Sequence, residues 1–272
     1  MIIDFHTHVF PDKIAERTIQ NLADRSHMTP YADGTAKQLL KEMEEGNVDV
    51  SVVLPVVTRP EQFSSILAFA SQLNENCHTG AHRLLSFGGV HPKSSHYREE
   101  LRELKKQGFL GIKLHPDYQD TYIDDMDYMH ILEEASKLDL IVSVHAGVDV
   151  GLPHPVHCPP DRILKVIQQV RPTKLVLAHL GGWKCWEQVE KLLVGENVYM
   201  DTAVVPGVCP KEQFKRVIQN HGYKRILFAT DSPWSGQKES VQAIRDLSLP
   251  EEEEQAILYK NALDLLGGEK YV

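Results

Sequence analysis

Residues 2–8 read Ile-Ile-Asp-Phe-His-Thr-His. An apolar opener runs into two histidines with one residue between them. Side chains alternate faces along a strand, so His6 and His8 point the same way. Two imidazoles on one face at a strand end can share a divalent ion. Alone, the pair could equally be ordinary turn histidines. What changes the weighing is the rest of the chain, where strand-like runs end in His115, His145, His179 and Asp231. All are residue types that bind metals or move protons.

Those residues need a scaffold that brings strand ends together. The apolar runs predict eight strands, ending near residues 6, 54, 90, 115, 145, 179, 201 and 231. Helical patterns separate them, over roughly 13–25, 35–46, 60–80, 95–107, 125–138, 161–170, 183–194 and 210–220. Two more helices, near 237–246 and 251–266, close the chain, and Asp161 is read as a helix cap. Strands alternating with helices imply a parallel sheet with right-handed crossovers. Eight such units predict an α/β fold of the (β/α)8 TIM-barrel type, one domain over residues 1–272. An open doubly wound sheet would show a Gly-rich phosphate turn after the first strand; here that strand ends in His-Thr-His. Barrel sites lie at the C-terminal ends of the strands, and strand eight closes against strand one. His6, His8 and Asp231 should therefore cluster, with His145 reaching in from across the mouth.

Composition narrows the function classes. The chain has 272 residues, 42% hydrophobic and 25% charged, enough apolar material for a large core. A net charge of −9 argues against a nucleic-acid partner, whose footprint would be basic and clustered. It does not exclude an anionic small substrate, because a metal or a lysine can reverse the field locally. Four cysteines, at 77, 158, 185 and 209, form no framework spacing and suggest a reducing compartment. No apolar run reaches the length of a membrane span, and the N-terminus carries no signal-peptide pattern. The expectation is a cytoplasmic protein acting on a small molecule, with no membrane or nucleic-acid partner. Oligomeric state is open, with a homodimer as the guess.

Five stretches, Asp4-Phe-His-Thr-His8, Gly111-Ile-Lys-Leu-His-Pro116, Val144-His145, Ala178-His-Leu-Gly-Gly182 and Ala229-Thr-Asp-Ser-Pro233, together resemble the amidohydrolase superfamily. The likeness is greatest to its amidohydrolase 2 branch, which includes hydrolases and non-oxidative decarboxylases. The resemblance implies His6, His8, His145 and Asp231 as metal ligands. It places His179 beside the metal water, or on a second metal as in binuclear relatives. In those relatives a carboxylated lysine on strand four bridges two metals, so Lys113 is a bridge, a cation for a substrate carboxylate, or a buried structural lysine.

The chemistry of these types is consistent with that set. Neutral imidazoles and a carboxylate suit Zn²⁺ and similar ions. The closer resemblance to the branch with one metal makes one ion the preferred expectation, and two are left open. A bound ion lowers the pKa of water and polarises a carbonyl. Asp231 could then take a proton, and His179 is the second acid–base candidate. Lys113, His115 and Trp234 are candidates for substrate or a second metal. Cys158 lacks a base and an orienting group, so it is not read as a nucleophile. His91 fits a pocket or a turn equally, His154 and His157 fit a rigid Pro-rich loop, and Trp183 with Trp186 fits helix packing. The resulting expectation is a metal-dependent hydrolase of a C–N or C–O bond (an amide, a lactone or a relative). The alternatives are a metal-dependent decarboxylase and a barrel that only binds.

Overall fold

The computed structural model describes residues 1–76, 78–80 and 82–268. Its eight parallel strands are Ile3–Thr7, Val50–Val53, His82–Ser86 continued by Gly88–Gly89, Gly111–Leu114, Ile141–Val144, Leu175–Leu177, Tyr199–Asp201 and Ile226–Leu227. They are numbered one to eight below. Neighbours pair in sequence order, with registers such as Ile3 on Val50, Ile112 on Val142 and Leu227 on Asp201. A two-residue antiparallel strand, His78–Thr79, extends the edge of strand three.

Closure from strand eight to strand one is made by single hydrogen bonds. Phe5 N donates to Phe228 O at 2.9 Å, Asp231 N to His6 O at 2.8 Å and His8 N to Ser232 O at 2.7 Å. The eighth strand was expected over 225–231, but its ladder with strand seven stops at Leu227. The reason lies in where the next backbone donors go. Phe228 N donates to Ile257 O, Ala229 N to the Thr202 hydroxyl and Thr230 N to the Asp4 carboxylate. Ile257 sits in a wider π-type turn, Ala256–Lys260, between Glu251–Gln255 and Asn261–Leu266. That turn interrupts the helix expected over 251–266, and π-type turns recur at functional positions.

Alternation explains which side chains reach the mouth. Ile112, Leu114, Val142 and Val144 face outward with Leu104 and Leu132 of the surrounding helices. Lys113, His115, Ser143 and His145 take the opposite face. A second apolar cluster joins Phe5, Val52, Phe87, Val176 and Leu227 to Leu265 of the closing helix, so the barrel interior is filled. Strand three is interrupted at Phe87, beyond which it pairs with strand four instead of strand two. A Cβ at Gly88 would crowd the buried Leu104 side chain, which would have to shift to make room.

The helices differ from expectation mainly at their ends. The helix expected over 60–80 begins with a 3₁₀ turn at Pro60–Gln62 and runs as Phe63–Asn76. Asp161 is not a cap. The helix Pro160–Val170 starts after Pro159, and Asp161 lies in its first turn, where its charge favours the exposed N–H groups. Thr35 does cap Ala36–Gly46, its hydroxyl accepting from Gln38 N at 3.2 Å. Cys77 and residues 269–272 lie outside the described residues; Cys158, Cys185 and Cys209 are free thiols. No described helix is long and apolar enough to cross a membrane.

Candidate metal centre

A cavity of about 790 Å³ opens at the C-terminal ends of the strands. His6, His8, Lys113, His115, His145, His179, Asp231 and Trp234 all line it, so every site residue expected from sequence reaches one space. Within it they fall into groups.

The first group is His6, His8 and Asp231. His6 Nε2 and His8 Nε2 are 3.1 Å apart, and Asp231 Oδ1 lies 3.3 Å and 3.0 Å from them. Strand one is irregular between Asp4 and Thr7, and such bulges re-aim side chains beside active sites. The other nitrogen of each ring is already engaged. His6 Nδ1 donates to Asp201 Oδ2 at 2.9 Å, and His8 Nδ1 to Leu54 O at 2.9 Å. In neutral rings these bonds leave both Nε2 lone pairs facing Asp231. Burial, then the neighbouring Lys113, pushes the His6 imidazolium well below its ordinary pKa, so the ring is neutral near pH 7. Burial alone would raise Asp231, but the positive charge of His6 and His8 when protonated, with the hydrogen bond His8 then donates, holds it down to about 2 in the metal-free site. Two imidazole nitrogens whose far ring nitrogens are already engaged, converging with a carboxylate oxygen, fit a divalent cation.

The second group surrounds His145 and His179. His145 Nδ1 and His179 Nε2 are 3.0 Å apart, and His179 Nδ1 donates to Ala203 O at 3.0 Å. The other edge of His145 faces a different pair, since His115, His145 and Asp149 form a second cluster of ligand types. His145 was expected to reach toward His6, His8 and Asp231 from across the mouth; it lines the same cavity, and its ligand-type neighbours are His179, His115 and Asp149. Lys113 lies under the first group, with Nζ 3.1 Å from His6 Nε2. Burial lowers its amine to about 8, opposed by Asp201 and Asp231.

His179 and Asp231 both have left-handed backbones, with φ of 59° and 66°. His and Asp tolerate this region better than most residues, and such conformations cluster at functional sites. Gly147, with φ of 85°, lies against the turn after strand six, where a Cβ would be 2.2 Å from Trp183 N. Two bonds join the loops after strands five and six, Val148 N to Trp183 O and Trp183 N to Ala146 O, while Gly147 N to Cys158 O closes the first of those loops on itself.

Sequence reasoning left Asp4, Asp149 and Asp201 out of the site. Asp201 ends strand seven, is fully buried and binds three ways: to His6 Nδ1, His179 N and Ala203 N. Its position at a strand end was the available signal. Asp4 lies below the centre and accepts from His6 N, Thr230 N, the Thr230 hydroxyl and Gln237 Nε2. It ties strand one to the segment carrying Asp231, and burial raises its carboxyl to about 7. Asp4→Ala should leave those buried donors unpaired and cost about 3 kcal/mol or more, at about 1–3 kcal/mol per orphaned group. Urea unfolding of the chelator-treated protein measures this; wild-type stability would show that the donors find other partners.

Other histidines and tryptophans divide. His91 is buried, its Nδ1 accepts from Lys93 N at 3.1 Å, and it does not line the cavity, which gives the turn reading. His157 is buried against Asp117 at 3.0 Å, whereas His154 is exposed, as a structural loop requires. Trp183 and Trp186 pack edge to face, but Trp183 also lines the cavity. Cys158 is buried and its thiol is pushed well up by burial, so it is no nucleophile.

The amidohydrolase family model matches residues 3–268. No curated protein matches the chain by sequence. Among solved structures, the fold is similar to 5-carboxyvanillate decarboxylase from Novosphingobium aromaticivorans, complexed with manganese and 4-hydroxy-3-methoxy-5-nitrobenzoic acid. That match has a TM-score of 0.74 and 14% identity over 98% of this chain and 96% of the other. It is similar to 5-carboxyvanillate decarboxylase from Sphingomonas paucimobilis, with a TM-score of 0.68 and 15% identity over 98% and 99% of the chains. It is also similar to a probable 2-pyrone-4,6-dicarboxylic acid hydrolase from Acinetobacter baumannii, with a TM-score of 0.65 and 17% identity over 98% and 99%. With the family model covering nearly all of its length, this chain belongs to the amidohydrolase family.

Proposed function

We propose that this chain is a metal-dependent hydrolase that opens a C–N or C–O bond of a small molecule, such as an amide or lactone. The observation that carries the reading is the convergence of His6 Nε2, His8 Nε2 and Asp231 Oδ1 at the floor of the cavity. These three residues would hold one divalent ion, with Zn²⁺ the expected metal for such donors. When bound, the ion lowers the pKa of a water molecule to about 7 and polarises the carbonyl it meets. Asp231, ionised in this setting, takes the proton of the attacking water and returns one to the leaving group. Asp201 holds the His6 ring in place from behind. Ile14, Leu22, Ile66, Phe69 and Trp234 line the cavity and would keep bulk water from the reacting bond.

The donor set supports a second ion, where the sequence favoured one. His145 Nδ1 and His179 Nε2 lie 3.0 Å apart and would hold it. Lys113 is the residue that would bridge the two ions if carboxylated. An amine held near 8 is partly neutral at pH 7, which is the form that adds CO₂. A carbamate would also replace a buried cation by an anion beside two divalent ions, which favours the modified form. The free thiols of Cys158, Cys185 and Cys209 support a reducing, cytoplasmic setting.

Decarboxylation is the second reading, favoured by the likeness to decarboxylase structures. Here Lys113 would hold the substrate carboxylate and His179 would deliver the proton that replaces CO₂. The metal-loaded protein should be incubated with lactones, amides and aromatic carboxylic acids in isotopically labelled water. Label in the product without CO₂ release is the expected result; CO₂ release with no water incorporated would overturn the hydrolase reading.

A further inference from the structure

Asp149 lies in the Gly- and Pro-rich loop after strand five and turns back onto the histidine that ends that strand. It is buried, with 7% of its surface exposed. One oxygen is committed to the loop, since Oδ1 accepts Gly151 N at 2.9 Å and Leu152 N at 2.8 Å. The other faces the site, with Oδ2 3.5 Å from His115 Nε2 and 4.0 Å from His145 Nε2.

The two histidine rings stack in parallel, 4.2 Å between centroids and 9° between planes. His115 accepts Tyr118 N on Nδ1 at 3.4 Å, so its own proton sits on Nε2, toward Asp149. His145 Nε2 is buried with no hydrogen-bond partner. A neutral His145 carries one ring proton. On Nδ1 that proton would point at His179 Nε2, a lone pair because His179 Nδ1 donates to Ala203 O. On Nε2 it would point toward the Asp149 carboxylate. In the metal-free protein the first arrangement makes a 3.0 Å N–H···N bond to His179, whereas the second sets two lone pairs at that distance. Only the second frees Nδ1 for an ion, and its Nε2–H then faces Asp149 Oδ2, 4.0 Å away.

We propose that Asp149 is a positioning residue that stabilises the Nε2–H tautomer His145 must adopt for His145 Nδ1 and His179 Nε2 both to present lone pairs to a second divalent ion. This rests on the two-ion reading above. A carboxylate behind a metal-bound histidine typically contributes 10–100-fold to metal affinity. The rival arrangement puts an ion inside the His115, His145 and Asp149 cluster itself.

The full-length protein, stripped by chelator, is titrated with Zn²⁺ against a competing chromophoric chelator. Wild type should take up two ions. Asp149→Ala should weaken the second by about 10–100-fold and leave the first unchanged. Asp149→Asn keeps the side-chain shape and an acceptor oxygen, guards against misfolding, and should recover part of the loss. His115→Phe keeps the ring stack and should leave both affinities near wild type. Nitrogen NMR of the histidine-labelled protein should show His145 protonated on Nδ1 when metal-free and on Nε2 when two ions are bound, with the Nε2–H form less populated at a given Zn²⁺ concentration in Asp149→Ala. Wild-type affinities in both Asp149 variants overturn the proposal. So does loss of the ion in His115→Phe, which would locate it in the rival cluster. A single ion in wild type overturns the two-ion reading and this proposal with it, whereas two ions with an unaltered Asp149→Ala titration overturns this proposal alone.

Discussion

Replacing His8 by alanine, alone and together with His6, should yield folded protein that no longer retains the first divalent ion. The two rings supply two of the three converging donor atoms, so the single variant keeps His6 and Asp231 and the double variant only the Asp231 carboxylate. Losing an outer partner of a ligand already costs 10–100-fold in affinity, and losing ligands outright costs more than that. Without the ion, the attacking water returns to the far higher pKa of bulk water. Hydrolysis at neutral pH should then fall below detection. The single variant is the cleaner test. His8 is part-exposed and binds only Leu54 O behind it, whereas removing His6 also strips a partner from buried Asp201. Elemental analysis after gel filtration gives ions per chain, and near-ultraviolet circular dichroism reports the fold. Full occupancy in the double variant would refute the ligand assignment.

His179→Asn separates holding metal from moving protons. Asparagine suits the left-handed backbone at this position, where φ is 59°, so the change adds little strain. With two ions bound, His179 is a ligand, and the variant should fall from two ions per chain to one. With one ion bound, it is an acid–base group, and the variant should keep its ion while kcat drops about 10²–10⁴-fold. The limb of the pH–rate profile that reports this group should then also move. Ions per chain and turnover, measured side by side, distinguish the two cases. A variant with wild-type metal content and turnover would make His179 a structural histidine.

The legible part of this molecule is the part where backbone pattern and side-chain chemistry coincide. An apolar run of four or five residues ending in His or Asp marks both a strand and a cavity-facing group, and this located His6, His115, His145 and His179 together. Asp231 was legible as a site residue, but not the manner of its placement. The ladder before it gives way to bonds from Thr202, Asp4 and Ile257, and no local pattern announces such long-range partners. Asp149 was illegible for a related reason. Its loop has no periodicity, and its meaning comes from a return onto His145 that depends on the turn at Gly151 and Leu152. Asp201 was read as a strand end and no more, because an acidic residue after Tyr-Met does not reveal that an imidazole from strand one will lie behind it.

The stitching of Ala146–Val148 to Trp183 bears on how this enzyme could be re-engineered. Loop exchange is a usual route to new selectivity in barrels, because each loop is treated as a separable module. Here the segments after strands five and six are one module in two pieces. A donor loop grafted at 146–160 alone would need a residue without a Cβ opposite Trp183 and the same two backbone bonds to Trp183, or it would push the neighbouring turn aside. Libraries built on this scaffold should therefore vary the two segments as a matched pair, or leave both intact and diversify the helix wall at Ile14, Leu22 and Ile66 instead.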